Sequence, residues 1–245
     1  AFVSPAYITT PSGGTSQFRV DIKGRLRRPA NLVIKGLPKS FTTSSLNLRG
    51  GRRWDVSITA PKGAEPKRIP IELKMEYPIG KGERERADVL PVDKMMQAFY
   101  YEHHIPAAEL AVNVVEPSPY RLTVAVDLEQ EVEFSINDET IPLKIMVDKN
   151  PDFNEPIELL IGKKNAMFSL EPITIQPNET EKIIELKLNR ALLEKRFKGK
   201  KNKPTWQMYI SGVVKGEWVK VGKGRQMQIS KYNEMTPIFI LKLKR

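Results

Sequence analysis

The stretch Asn31–Gly51, NLVIKGLPKSFTTSSLNLRGG, lies without a gap on Glu158–Asn178, ELLIGKKNAMFSLEPITIQPN, at an offset of 127 residues. Leu32-Val33-Ile34 then falls on Leu159-Leu160-Ile161, Phe41 on Phe168, Leu46 and Leu48 on Ile173 and Ile175, and the Gly50-Gly51 turn on Pro177-Asn178. Past the turn, a shift of one residue sets Val56 and Ile58 on Ile184 and Leu186. Self-similarity at a fixed spacing marks a duplicated structural unit. A strand, a short apolar stretch, a second strand, a tight turn and an alternating third strand are what the middle of a seven-stranded sandwich contains. Each copy is therefore expected to anchor one immunoglobulin-like domain.

Working outward, strand-type alternation recurs at Phe18, Val20, Ile22, at Trp54, Val56, Ile58, at Ile71, Leu73, Met75 and at Leu122, Val124, Val126. Apolar residues at every second position make one face of a half-buried strand. Turn residues separate them, as in Pro11-Ser12-Gly13-Gly14 and Asn150-Pro151-Asp152. Opening strands are expected at Gln17–Lys23 in the first copy and at Val132–Ile136 and Ile141–Val147 in the second. In Glu116-Pro117-Ser118-Pro119 two prolines suppress both helix and sheet pairing. The reading is all-β: two tandem immunoglobulin-like β-sandwich domains, residues 1–116 and 117–245, with short helical insertions. One insertion is expected at Asp93–Tyr101, where Met95, Met96, Phe99 and Tyr100 recur at helical spacing. The other is expected at Ala191–Lys203, ALLEKRFKGKKNK, which starts with helix formers and runs into a basic, glycine-broken connection.

Composition narrows the chemistry. The 245 residues include no cysteine, which excludes disulfides, thiolate catalysis and cysteine-ligated metal clusters. Apolar runs are broken by charge or proline well short of a membrane span. The sequence begins at Ala1 with no basic-then-apolar leader before Phe2, which reads as a processed chain or a piece of a longer one. The net charge is +11, shared as +6 up to Glu116 and +5 beyond it. A basic balance favours nucleic acid, anionic lipid or acidic polysaccharide, and more commonly serves solubility.

The segment MMQAFYYEHHIPAAEL, Met95–Leu110, leading into Ala111-Val112-Asn113-Val114-Val115, resembles a recurring stretch in large exported bacterial proteins that combine pre-peptidase C-terminal type domains with Ig-like modules. The apolar strand that ends in Gly36-Leu37-Pro38 is similar to their modules as well. The second copy departs from it, with Gly162-Lys163-Lys164-Asn165 at that place. The resemblance covers about half the chain. It implies an accessory, adhesive or spacer role beside other domains, and an exported location (periplasmic, cell-surface or secreted). It supplies no catalytic residues.

Most residues of site-forming type fit ordinary structural roles. His103 and His104 beside Glu102 are common metal-ligand types, but neighbours on a strand point to opposite faces and no further histidine exists to complete a set. No Gly-x-Ser-x-Gly elbow surrounds any serine, and Gly222-Lys223-Gly224 lacks the spacing of a phosphate loop. Glu83 and Glu85 alternate with Arg84 and Arg86 and read as a solvated turn. Trp206, Tyr209 and Trp218 flank an expected hairpin, TWQMYISGVVKGEW. There Trp206, Met208 and Ile210 share a face, which favours core packing over a sugar platform. Trp54 alternates with Val56 and Ile58 and is placed in the first core.

One basic cluster remains as a possible polyanion-binding site: Lys195, Arg196, Lys198, Lys200, Lys201 and Lys203. It lacks the interleaved aromatics that stack on bases, which disfavours nucleic acid. No catalytic, cofactor or metal site is expected. The leading expectation is a non-catalytic spacer or adhesion-type module whose partners are other domains of its parent protein. The alternative is an accessory module for anionic glycans or cell-envelope components, and a hydrolase-associated domain stands third.

Overall fold

The computed structural model describes residues 1–23, 29–48, 52–80, 83–97, 101–126, 131–162, 165–199, 204–221 and 225–244. The chain divides into two compact units, Ala1–Pro117 and Ser118–Arg245. Its fold is an all-β sandwich with one short helix among the described residues.

Unit 1 carries β1 (Phe2–Ser4), β2 (Tyr7–Pro11), β3 (Thr15–Asp21), β4 (Ala30–Lys35), β5 (Thr42–Thr43), β6 (Asn47–Leu48), β7 (Arg53–Thr59), β8 (Lys67–Gly80), β9 (Glu83–Asp88), β10 (Leu90–Gln97), β11 (Tyr101–Pro106) and β12 (Leu110–Val115). One layer runs β11-β10-β1-β3-β7-β5 and the other β2-β12-β8-β4-β6, with β9 also on β8. Inward side chains of the first layer, Val3, Phe18, Val20, Trp54, Val56 and Ile58, meet Ile8, Leu32, Ile71, Leu73, Met75 and Val112 of the second in one buried cluster.

Unit 2 carries β13 (Tyr120–Val124), β14 (Glu131–Phe134), β15 (Thr140–Lys149), β16 (Ile157–Ile161), β17 (Phe168–Ser169), β18 (Ile173–Ile175), β19 (Glu181–Leu188), α1 (Arg190–Phe197), β20 (Thr205–Met208), β21 (Ile210–Val221), β22 (Arg225–Met235) and β23 (Phe239–Leu243). The sheets are β13-β15-β19-β17, β14-β23-β20 and β18-β16-β21-β22.

The sequence repeat is a repeat of pairing. β4 pairs with β6 and β16 with β18, β5 with β7 and β17 with β19, β3 with β7 and β15 with β19. The aligned residues share one environment: Leu32 and Leu159, Phe41 and Phe168, Leu48 and Ile175, Val56 and Ile184, and Ile58 and Leu186 are all buried. Each aliphatic side chain so buried contributes about 2 kcal/mol. The opening strands lie at β3 in the first copy and at β14 and β15 in the second. Trp54 is buried beside Val56, as its alternation requires.

Four expectations are corrected. Asp93–Tyr101 does not supply a helix: β10 pairs parallel with β1 at Phe2 and Val3 and antiparallel with β11 from Val92 to Gln97. Those ladders override a weak helical preference. Ala98, Phe99 and Tyr100 lie outside the described residues. The Glu83–Asp88 segment is strand β9, not a turn, and Arg84 and Arg86 reach back to Glu76 on β8 at 3.7 and 2.6 Å. TWQMYISGVVKGEW is not a hairpin, because β20 pairs with β23 whereas β21 pairs with β16 and β22. Trp218 is not a core residue: it is 63% exposed, whereas Trp206 packs against Phe134, Phe168 and Phe197.

Tyr209 stands where β20 gives way to β21. Its ring fills the place a Cβ at Gly162 would take, 1.8 Å from the nearest ring carbon, and its hydroxyl donates to the Gly162 carbonyl at 2.8 Å. In unit 1 the close approach is at Gly36, whose φ is +83° and where a Cβ would lie 2.6 Å from the Pro70 carbonyl oxygen, so that both demand glycine. The alignment places Lys163, which lies outside the described residues, opposite Gly36.

Substituting Ile58→Ala or Leu186→Ala is expected to cost about 2–5 kcal/mol at either site, read by urea unfolding. Gly162→Ala should cost about 1–3 kcal/mol, because the Tyr209 ring must shift, and loss of near-ultraviolet circular dichroism from that ring would accompany it.

Candidate interaction surface

β16 pairs with β21 only from Ile210 to Val213. Beyond that point β21 has one partner among the described residues, β22, and the two continue as a ribbon to the Val221–Arg225 pair. Register shifts fall between Val214 and Lys215 and between Lys215 and Trp218. An irregularity of this kind strengthens the local twist and re-aims the strands. Gln228 donates to the Gly216 carbonyl at 3.1 Å across it.

This arm presents apolar side chains to solvent. Trp218 is 63%, Met227 54% and Ile229 42% exposed. Val219 faces Met227 directly, so they share a face, Ile229 continues it two residues along, and Trp218 lies opposite Gln228 on the other face. At its base Lys215 pairs with Glu158 at 3.1 Å and Lys231 with Glu155 at 2.6 Å. Residues 215–231 hold five basic residues against the single acid Glu217.

The basic cluster expected from sequence begins at the end of α1. Asn189 caps this helix by accepting from the Leu192 amide at 3.2 Å, and Arg190 pairs with Glu194 at 3.1 Å. Lys195, Arg196 and Lys198 are exposed there, whereas Lys200, Lys201 and Lys203 lie outside the described residues. The histidines sit on β11, with His103 exposed and His104 half-buried against the Phe2 ring at 5.4 Å. Among the described residues no group of three or more His, Cys, Asp or Glu is placed to hold a metal ion. No helix among the described residues is long and apolar enough to cross a membrane.

A groove of about 710 Å³ lies in unit 1, where β9 and β12 part along β8, walled by Ile71, Leu73, Val89 and Leu110 with Lys35 and Glu72 at its rim. Sequence reasoning missed both the groove and a buried acid, Glu234, on β22. Burial pushes the Glu234 carboxyl up to about 7. Nearby, burial also raises the Tyr120 phenol, whose hydroxyl donates to the Gly212 carbonyl at 2.6 Å. The sequence signal for Glu234 was its place on the inward side of a strand that also carries Tyr232.

No family model matches the chain, and no curated protein matches it. Similar solved structures include a protein of unknown function from Porphyromonas gingivalis, at 13% identity and TM-score 0.27 over 99% of this chain and 98% of that one. Fibronectin(III)-like modules of Clostridium thermocellum CbhA are similar at 11% identity and TM-score 0.23, over 99% and 93% of the two chains. The Yersinia pseudotuberculosis adhesin InvE is similar at 9% identity and TM-score 0.24, over 94% of this chain and 57% of that one.

Glu234 holds its proton more tightly in the folded chain than in the unfolded one, so stability falls as pH rises from about 4.5 to about 7. Glu234→Gln removes that loss. It is expected to exceed the parent chain by about 3 kcal/mol near pH 8 and to match it near pH 4, as read by urea unfolding at each pH.

Proposed function

We propose that this chain is a non-catalytic structural and interaction module, of spacer or adhesion type, within a larger exported bacterial protein. Its immediate partners are other domains of that protein, including those of pre-peptidase C-terminal type, and proteins met outside the cell. The observation that carries the reading is the β21–β22 arm. It holds Trp218, Met227 and Ile229 out in solvent, on a ribbon that leaves the sandwich behind. A two-stranded ribbon is marginal in water, and exposed apolar side chains on both of its faces mark it as a contact surface. The second sandwich is the scaffold that presents it, and residues 1–116 and 117–245 each form one Ig-like domain in this reading.

The test is photo-crosslinking in the cells that make the protein. A photoreactive residue at Trp218 or Met227 is expected to yield one defined protein adduct, and the same residue at Glu83 on β9 to yield none. Absence of adducts at all three sites, or the same adducts at all three, would discard the arm as the contact surface.

A second reading rests on the three exposed cations Lys195, Arg196 and Lys198 at the end of α1. With Lys200, Lys201 and Lys203 they would grip sulfate or carboxylate groups of an anionic glycan. Replacing all six by glutamine should then abolish salt-resistant retention on heparin. Elution shifted only in proportion to the lost net charge would leave the arm as the better account.

A further inference from the structure

The edges of the sheets differ sharply in how they are guarded. Among the described residues, β2, β5, β6, β9, β11, β13, β14, β17, β18 and β20 stand at sheet edges and run from 2 to 6 residues. β9 carries a charge at five of its six positions, and β2 and β11 end in proline. Short length, charge and proline are the devices by which sheets avoid pairing with another chain. β22 is the exception: it is an edge strand of 11 residues, RQMQISKYNEM, with no proline. Its one lysine, Lys231, is engaged by Glu155, while Met227 and Ile229 lie open beside the edge. Among the described residues, no backbone hydrogen bond other than the ladder to β21 is made by residues 226–233.

We infer that the outer edge of β22 receives an extended protein segment as an additional strand, the segment alternating acidic and apolar residues. This inference rests on the arm being the contact surface and deepens it by naming the mode and the partner's chemistry. Main-chain hydrogen bonds to the open edge give such an added strand its affinity, and alternate side chains give it selectivity. Apolar positions of the segment lie over Met227 and Ile229. Its acids meet Lys220, in a stretch (residues 215–231) whose sequence carries five basic residues to one acid. The same charge argues against a second copy of this chain as the occupant, since two arms laid edge to edge would set like charges against each other at net +11 per chain.

The probe is a labelled nonapeptide alternating Glu with Val, compared with its Lys–Val counterpart and with an acidic peptide N-methylated at every second residue. The full chain is expected to bind the acidic peptide about tenfold or more tightly than the basic one, with added salt weakening it. Amide exchange should slow at residues 226–232 and not elsewhere. N-methylation of the bonding edge should remove binding. The double variant M227T/I229T, at exposed positions that leave the core and the charge intact, should lose about tenfold or more in affinity at unchanged thermal stability. Slowed exchange on unmodified protein supports the inference even if that variant fails to fold. Equal affinity for both peptide charges, equal binding of the N-methylated peptide, unchanged exchange on β22, or concentration-dependent dimers blocked by M227T/I229T would each overturn it. The crosslinking test at Trp218 is independent of all these. Adducts there with unchanged exchange on β22 would sink strand addition and leave the contact surface standing.

Discussion

The inward stripe on β7 and β19 is the constraint on which both units rest. Val56 and Ile58 in one, and Ile184 and Leu186 in the other, are fully enclosed, and each of these strands is hydrogen-bonded along its length to the strand that opens its copy. Because side chains alternate with period two, a slip of one residue would turn the whole stripe to water. The register of β3 on β7 and of β15 on β19 is fixed by that penalty, and the short strands on either side of the turns take their places from it.

The two units then diverge where the packing is less constrained. Between β9 and β12 the first unit sends its chain across to the other layer as β10 and β11, which covers β1 and leaves a groove at the crossing. In the second unit β21 and β22, which stand to β16 as β8 and β9 stand to β4, run on past the end of β16 as the arm. One copy thus spends its extra residues on extending a layer, and the other on reaching into solvent. In unit 1 the surface charges near this place are matched in ladders, as with Lys74 and Asp88 at 3.5 Å and Arg86 and Glu76 at 2.6 Å.

The repeat was legible because core residues are the ones that alternation constrains most tightly: Leu32, Leu48, Leu159 and Ile175 could be aligned from sequence and proved equivalently buried. Asp93–Tyr101 was misread because Met95 and its neighbours satisfy a helical spacing as readily as a strand, and only pairing with β1 and β11 decides. Trp218 was misread for a related reason. A tryptophan among β-branched residues signals a strand, but the place where β16 stops is set by the length of another segment. The cations at Lys195, Arg196 and Lys198 were legible as exposed, since a basic run beside a glycine has no apolar face to bury.

One feature of the ladders bears on tension. β2 lies parallel to β12 from Tyr7↔Ala111 to Pro11↔Val115, and β14 lies parallel to β23 from Glu131↔Ile240 to Phe134↔Leu243. In each unit, then, a strand near the start of its chain is bonded side by side, in the same direction, to one near its end. A pull along the polypeptide draws such a pair in opposite directions along their common axis. Every bond in the ladder is strained together, and none can part before its neighbours as the teeth of a zip do. Each sandwich is thereby built to hold its shape when a load is drawn through it.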